Sequence, residues 1–258
     1  MAEKDARDSM LIKQEKYLES GIHIGTKMKV RDMTKFIYRT RNDGLYVLDL
    51  RKIDERIRIA GKMLARYDPE TITVVASRTY SSYAAAKFCE LTGAKLIHGR
   101  FVPGRFTNVA RKDFVEPKLV FICDPKGEIQ AINEAGKMGI ATVGLCDTDN
   151  YTTFIDWVIP CNNKGRKSLA LIFYLLAREF LMGKGKIASY DDFTTDLEEF
   201  ENSTAFEALT GSKDEGEEKP LGAKAQEDAA GNTAAAIAQP AAEAKAEEAA
   251  EAKTEEKA

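Results

Sequence analysis

Two aspartates, Asp147 and Asp149, follow an apolar run at 140–145 and are the residues best spaced for metal-assisted chemistry. Carboxylates beyond the end of a parallel strand can hold Mg²⁺ against a phosphate. The segment that contains them, DTDN at 147–150, also has the chemistry of a local turn, because Asp and Asn bond their own backbone. The turn is the reading preferred here. The two histidines, His23 and His98, have no Cys or second His at metal-ligand spacing. A dinucleotide fingerprint should follow the first buried strand, yet residues 77–83 read SRTYSSY, without glycine. Neither a G-x-x-x-x-G-K-[ST] phosphate loop nor a G-x-S-x-G elbow occurs. Gly136-Lys137 falls near the end of a helical pattern, where glycine serves packing or fraying. The four cysteines, Cys89, Cys123, Cys146 and Cys161, form no C-x-x-C pair and mostly adjoin apolar runs. They read as buried thiols in a reducing compartment. No catalytic residue, metal ligand or cofactor is assigned, and no small-molecule substrate is expected.

Cations offer a stronger pattern. The net charge of −3 conceals a division. Residues 188–258 hold 19 acidic and 6 basic side chains, which leaves 22 acidic and 32 basic in residues 1–187. A basic body with an acidic end points to polyanion contact by the body. Its cations gather in three loops. Loop 26–41 carries Lys27, Lys29, Arg31, Lys35, Arg39 and Arg41. Loop 99–112 carries Arg100, Arg105, Asn108, Arg111 and Lys112, and loop 162–167 carries Lys164, Arg166 and Lys167. Each mixes cations with polar or aromatic residues and glycine. Cations neutralise phosphate, while Asn, Thr and aromatic rings suit bases and sugars. These fourteen residues are the expected RNA-binding set.

The elements that must position these loops follow from periodicity. Residues 8–20 place Leu11, Ile12 and Leu18 near one face of a short helix. Runs at 36–39 and 45–50, joined by Asn42-Asp43-Gly44, predict a hairpin. Helical spacing recurs over 51–67 and stops at Asp68-Pro69. Strands are predicted at 72–76, 95–97, 119–123, 140–145 and 157–159, with helices at 80–91, 128–138 and 168–182. The strands read as continuous apolar runs, so both faces are covered. The expected class is α/β: a doubly wound, flavodoxin-like parallel sheet of five strands in order 2-1-3-4-5, with an N-terminal hairpin and helix as appendage. Beyond about residue 200 large apolar residues become scarce and Ala, Glu and Lys dominate. Such a segment cannot offset its conformational entropy by burial. The domain reading is therefore 1–20 a helical extension, 21–187 the α/β RNA-binding body including the 36–50 hairpin, 188–204 an acidic segment, and 205–258 a disordered tail. Residues 1–8 are charged and no run approaches 18 apolar residues, so neither a secretory leader nor a membrane span is expected.

Several blocks, in order, carry a resemblance: YLESGIHIG at 17–25, GLYVLDLRK at 44–52, GRFVPGRFTN at 99–108, DTDN at 147–150, IPCNNK at 159–164 and LARE at 176–179. With these the chain resembles the universal S-two family of small-subunit ribosomal proteins, in its archaeal form. The resemblance covers about residues 10–187. It implies a five-stranded α/β domain at the junction of head and body of the small subunit, in contact with small-subunit ribosomal RNA and neighbouring ribosomal proteins. It also makes the DTD motif part of the framework rather than an active site. Bacterial members carry a long helical insertion before the first parallel strand; here Tyr67-Asp68-Pro69 leads straight into that strand. Animal relatives, the laminin receptor precursors, have tryptophan-containing tail repeats, whereas the one tryptophan here is Trp157.

The expectation is thus a non-enzymatic, cytoplasmic, ribosome-associated protein that serves translation within a ribonucleoprotein. Two alternatives make different demands. A metal-dependent phosphosugar or nucleotide enzyme would need a concave site around Asp147 and Asp149. A pure protein-interaction module would not associate with ribosomal RNA.

Overall fold

The computed structural model describes residues 10–202. The expected disorder of 205–258 lies outside the described residues, as do residues 1–9.

The parallel sheet is built where β-branched and aromatic residues run without interruption. Strands β3 (Ile72–Ala76), β5 (Leu119–Ile122) and β6 (Ala141–Cys146) are almost wholly buried. The edge strand β4 (Lys95–His98) buries only Ile97, and β7 (Trp157–Pro160) closes the other edge. The order is β4-β3-β5-β6-β7, all parallel, which is the expected 2-1-3-4-5. The chain steps from β3 outward to β4, then returns to the far side of β3 as β5. The crevice between β3 and β5 is therefore the place where ligands bind in folds of this kind.

Before the sheet come helix α1 (Gln14–Ser20), a 3-10 helix at Arg31–Phe36, strands β1 (Ile37–Thr40) and β2 (Tyr46–Leu48), and helix α2 (Leu50–Leu64). Helix α1 starts later than its sequence pattern suggests, with Lys13 as its N-cap. Leu11 instead donates its N–H to Asp54 of α2, and Tyr17 donates its hydroxyl to the same carboxylate at 2.7 Å. Tyr17 is completely buried, so this helix is packed into the body. The stretch 31–36, read from sequence as loop, is helical because Met33 and Phe36 turn inward on successive turns.

The helices α3 (Thr79–Thr92), α4 (Ile129–Met138) and α5 (Arg166–Gly183) cover the sheet. Helix α5 packs between α2 and α3 and is buried along nearly its whole length, including Arg178 and Glu179. Phe173 at its centre meets Phe88 of α3 at 5.7 Å and Phe121 of β5 at 5.6 Å, separations suited to tilted rings. Two glycines set the approach of α2 and α5. A Cβ on Gly61 would lie 2.3 Å from the Glu179 Cβ, and one on Gly183 would lie 2.4 Å from the Ala65 Cβ. The helix expected over 168–182 runs from Arg166 through Gly183.

The chain continues into a short 3-10 helix at Tyr190–Asp192 and helix α6 (Leu197–Glu201). Phe193 and Phe200 stack edge-on against Tyr174, and Glu199 pairs with Lys87 at 3.0 Å. Sequence composition showed this segment only as acidic; Phe193, Leu197 and Phe200 dock it against the core.

Candidate nucleic-acid interface

The carboxyl edge of the sheet is filled by the chain's own polar side chains. After β3, Ser77 gives its N–H and hydroxyl to one oxygen of Glu128, at 2.8 and 3.0 Å. After β5, Cys123 and Asp124 give their N–H groups to the other oxygen. Burial pushes the Glu128 carboxyl up to about 8, against the pull of these donors. Arg78 clamps Asp124 with two nitrogens at 2.7 Å. Asn163 aims its amide at Leu145 O, Asp124 Oδ1 and Asn150 Oδ1. Gly127 lies close against this cluster: a Cβ there would sit 3.0 Å from Asp124 Oδ2 and 3.2 Å from Ser77 Oγ. The switch-point crevice is thus a plug of carboxylates, amides and one arginine.

The DTDN segment is the turn its composition suggests. Asn150 Oδ1 accepts the Asp147 N–H at 2.7 Å, and Asp147 Oδ1 accepts the Thr148 N–H. Asp147 is buried, which raises its carboxyl, with the Lys164 ammonium opposing. Lys164 Nζ sits 3.2 Å from Asp147 and 3.3 Å from Asp149, and Lys126 adds a contact to Asp149 at 3.6 Å. A lysine therefore stands where the two aspartates would have had to share a cation. Among the described residues no group of three His, Cys, Asp or Glu side chains could hold a metal ion. All four cysteines are free and buried.

The residue between the aspartates has a different task. Thr148 Oγ1 meets the Thr26 N–H at 3.0 Å and hydroxyl at 2.9 Å, and donates to Met28 O. Val30 gives its N–H to Thr148 O, and Thr152 bonds Asp32 at 2.9 Å. Gly25 lies so close that a Cβ would come within 2.5 Å of Thr148 Cγ2. These bonds tie the start of the first basic loop to the carboxyl end of β6 and leave Lys27, Lys29 and Arg31 exposed. On its other side the segment runs antiparallel to β2, through Gly25 to Tyr46 and Leu48 to His23. Lys35, Arg39 and Arg41 are exposed as well, with Lys35 over the Phe36 ring.

The second loop leaves the carboxyl end of β4. Its anchor is Glu134, a buried carboxylate on α4 that accepts the N–H groups of Gly104 at 2.7 Å and Phe106 at 3.1 Å. Burial alone would raise this carboxyl; the donors, with the Gln130 amide, hold it below its usual value. Phe106 and Phe101 stack at 5.0 Å beneath the loop. Arg100, Asn108 and Lys112 remain exposed, whereas Arg105 is half-buried. Arg111 is braced against Asp113 at 2.8 and 3.0 Å. In the third loop Lys164 is committed to the aspartates, Arg166 faces Glu201 at 3.8 Å, and Lys167 is exposed. Arg166 and Lys167 belong to the first turn of α5, after Gly165 as N-cap, and not to a loop before Ser168. Eleven of the fourteen expected residues are exposed; the start of the first segment is tied to the end of β6, and the other two segments leave the carboxyl ends of β4 and β7.

A sequence profile of the ribosomal protein S2 family matches residues 17–113 and 110–183. The chain belongs to the ribosomal protein S2 family. Among its relatives, the small ribosomal subunit protein uS2 of Thermoplasma acidophilum is 50% identical over 194 residues, 75% of this chain and 98% of that protein. The uS2 proteins of Staphylothermus marinus and Methanococcus maripaludis are 52% and 51% identical, over 74% and 72% of this chain and 87% and 86% of theirs. The match is to the archaeal form of the family, as the blocks from YLESGIHIG to LARE imply. The S2 profile ends at α5, so α6 lies beyond it.

Some positioning residues of this S2 chain escaped sequence reasoning. Glu134 had a signal, since it interrupts the apolar side of α4 between Ile132 and Ala135. Asp54 did likewise between Ile53 and Ile57 of α2. Arg78 and Thr148 had none, because their partners are 46 and 122 residues away.

Proposed function

We propose that this chain is a non-enzymatic structural constituent of the small ribosomal subunit, cytoplasmic and ribosome-associated. It binds small-subunit ribosomal RNA and neighbouring ribosomal proteins at the head–body junction and so supports subunit assembly and translation. The observation that carries the reading is the plugged carboxyl edge ringed by cations. A fold that commonly hosts enzymes here fills its ligand crevice with Glu128, Asp124, Arg78, Asn163 and Lys164, and turns its uncommitted charge outward. The family's curated relatives bear the name of a small-subunit protein, which agrees with that use.

The contact set is Lys27, Lys29, Arg31, Lys35, Arg39, Arg41, Arg100, Asn108, Lys112 and Lys167, with Arg105, Arg111, Lys164 and Arg166 shaping the loops as well as adding charge. Binding is phosphate neutralisation by side chains held on a rigid scaffold. Sedimentation of a cell lysate through a sucrose gradient tests the reading: the chain should travel with the small subunit. Migration only with free protein would overturn it.

A further inference from the structure

The strand pair β1–β2 contains an irregularity. Ile37 faces Leu48 and Arg39 faces Val47, so Tyr38 is an extra residue with no partner across the ladder. Bulges of this kind re-aim a side chain and recur beside binding sites. Here the re-aimed side chain is a tyrosine left 72% exposed.

Tyr38 lines a hollow of about 790 Å³ between α1 and the hairpin, within the range of small-ligand pockets. Leu18 and Val47 supply apolar surface there, and Arg39, Arg41 and Arg51 supply charge. A second hollow of about 260 Å³ at the hairpin tip shares Arg39 and Arg41 and adds Asn42 and Asp43. Neither Arg39 nor Arg51 forms an ion pair among the described residues. Arg41 pairs with Asp43 at 3.1 Å, but both are well exposed, and such a pair yields easily to a phosphate. The acid at the cleft, Asp49, already accepts the Arg51 N–H and caps α2. The adjoining hollows therefore offer an aromatic face over apolar surface next to planar cations. That pairing suits a base and its phosphate.

We infer that this cleft takes one unstacked nucleotide of RNA, its base against Tyr38 and its phosphate between Arg39 and Arg41. The inference rests on the RNA-binding reading above and adds a specific subsite to it. Stacking tolerates any base, so the pocket selects an unpaired nucleotide and not a particular sequence.

The test compares the full chain with Tyr38→Phe, Tyr38→Leu and Tyr38→Ala in binding to small-subunit ribosomal RNA, together with ultraviolet cross-linking in assembled subunits. Tyr38→Phe should bind as the parent does. Tyr38→Leu and Tyr38→Ala should bind roughly tenfold more weakly, as expected for one lost stacked base. Melting temperatures should be unchanged, because the ring is in solvent. A nucleotide adduct on Tyr38 would agree. Parent-like affinity of the Ala variant, full rescue by Leu, or a cross-link from Tyr38 to protein would each overturn the pocket. With the parent still bound to RNA, those results leave the broader reading intact; a parent chain that ignores the RNA overturns both.

Discussion

The hydroxyls of Thr26 and Thr148 lie 2.9 Å apart across 122 residues of sequence. This contact, with the Thr26 N–H and Val30 N–H bonds around it, fixes a basic segment to the end of β6. Replacing Thr148 with Val keeps its shape but leaves the Thr26 N–H without its acceptor. The change should lower stability by about 1–3 kcal/mol, read from urea denaturation. Gly25→Ala attacks the same junction from the other side, since its Cβ would meet Thr148 and the Tyr46 carbonyl. It should destabilise by about 1–3 kcal/mol, and Thr148→Ser, which removes the obstructing methyl, should recover part of that loss.

Close approach of α2 and α5 depends on Gly61 and Gly183. Alanine raises helix propensity at both positions, so an isolated-helix argument expects stabilisation. Packing expects the reverse, because a Cβ on Gly61 would overlap that of Glu179 and one on Gly183 that of Ala65, just past the end of α2. Thermal denaturation of Gly61→Ala should show a lower melting temperature, equivalent to about 1–3 kcal/mol.

Glu134 holds the 99–112 loop through two backbone N–H groups. Glu134→Ala leaves both unpaired and should cost about 1–3 kcal/mol. It should also raise amide exchange at Gly104 and Phe106 while leaving protection in β3 and β5 near the parent's level. Uniform loss of protection across the sheet would contradict this local role.

Glu128 makes stability depend on pH. Its folded carboxyl is raised from 4.5 to about 8, so between those values the folded chain holds a proton that the unfolded chain releases. Stability from this group is therefore full below about pH 4.5, falls as pH rises toward 8, and is level above it. Glu128→Gln cannot titrate and should flatten that part of the profile. Its amide nitrogen would face N–H donors, so stability should also drop by about 1–3 kcal/mol at low pH. Chemical denaturation of both proteins from pH 5 to pH 9 separates the two effects.

Much of this architecture was legible in the sequence because it is local. Short uninterrupted runs such as ITVVA and LVFI, rich in β-branched and aromatic residues, read as strands covered on both faces, and their alternation with helical spacing leaves few orders of strands. Asn42-Asp43-Gly44 likewise marked the hairpin, and the cation-rich loops marked the face that meets solvent. What sequence could not show were pairings across long separations. Lys164 reads as one more loop cation until the fold places it between Asp147 and Asp149. Arg111 looks free until Asp113 curls back on it. The exposure of Tyr38 follows from a slipped ladder register, which composition does not encode.

In the proposed function, exposed cations grip RNA phosphates. The most direct measurement is the affinity of the full chain for small-subunit ribosomal RNA as salt is varied, beside a variant with Lys27, Lys29 and Arg31 all changed to Ala. Affinity of the parent should fall steeply and linearly on logarithmic axes. The variant should bind more weakly, with a slope shallower by roughly two to three, one lost phosphate contact per charge, and an unchanged melting temperature. Parent binding that is indifferent to salt, or a variant whose slope and affinity match the parent's, would contradict phosphate neutralisation by these cations.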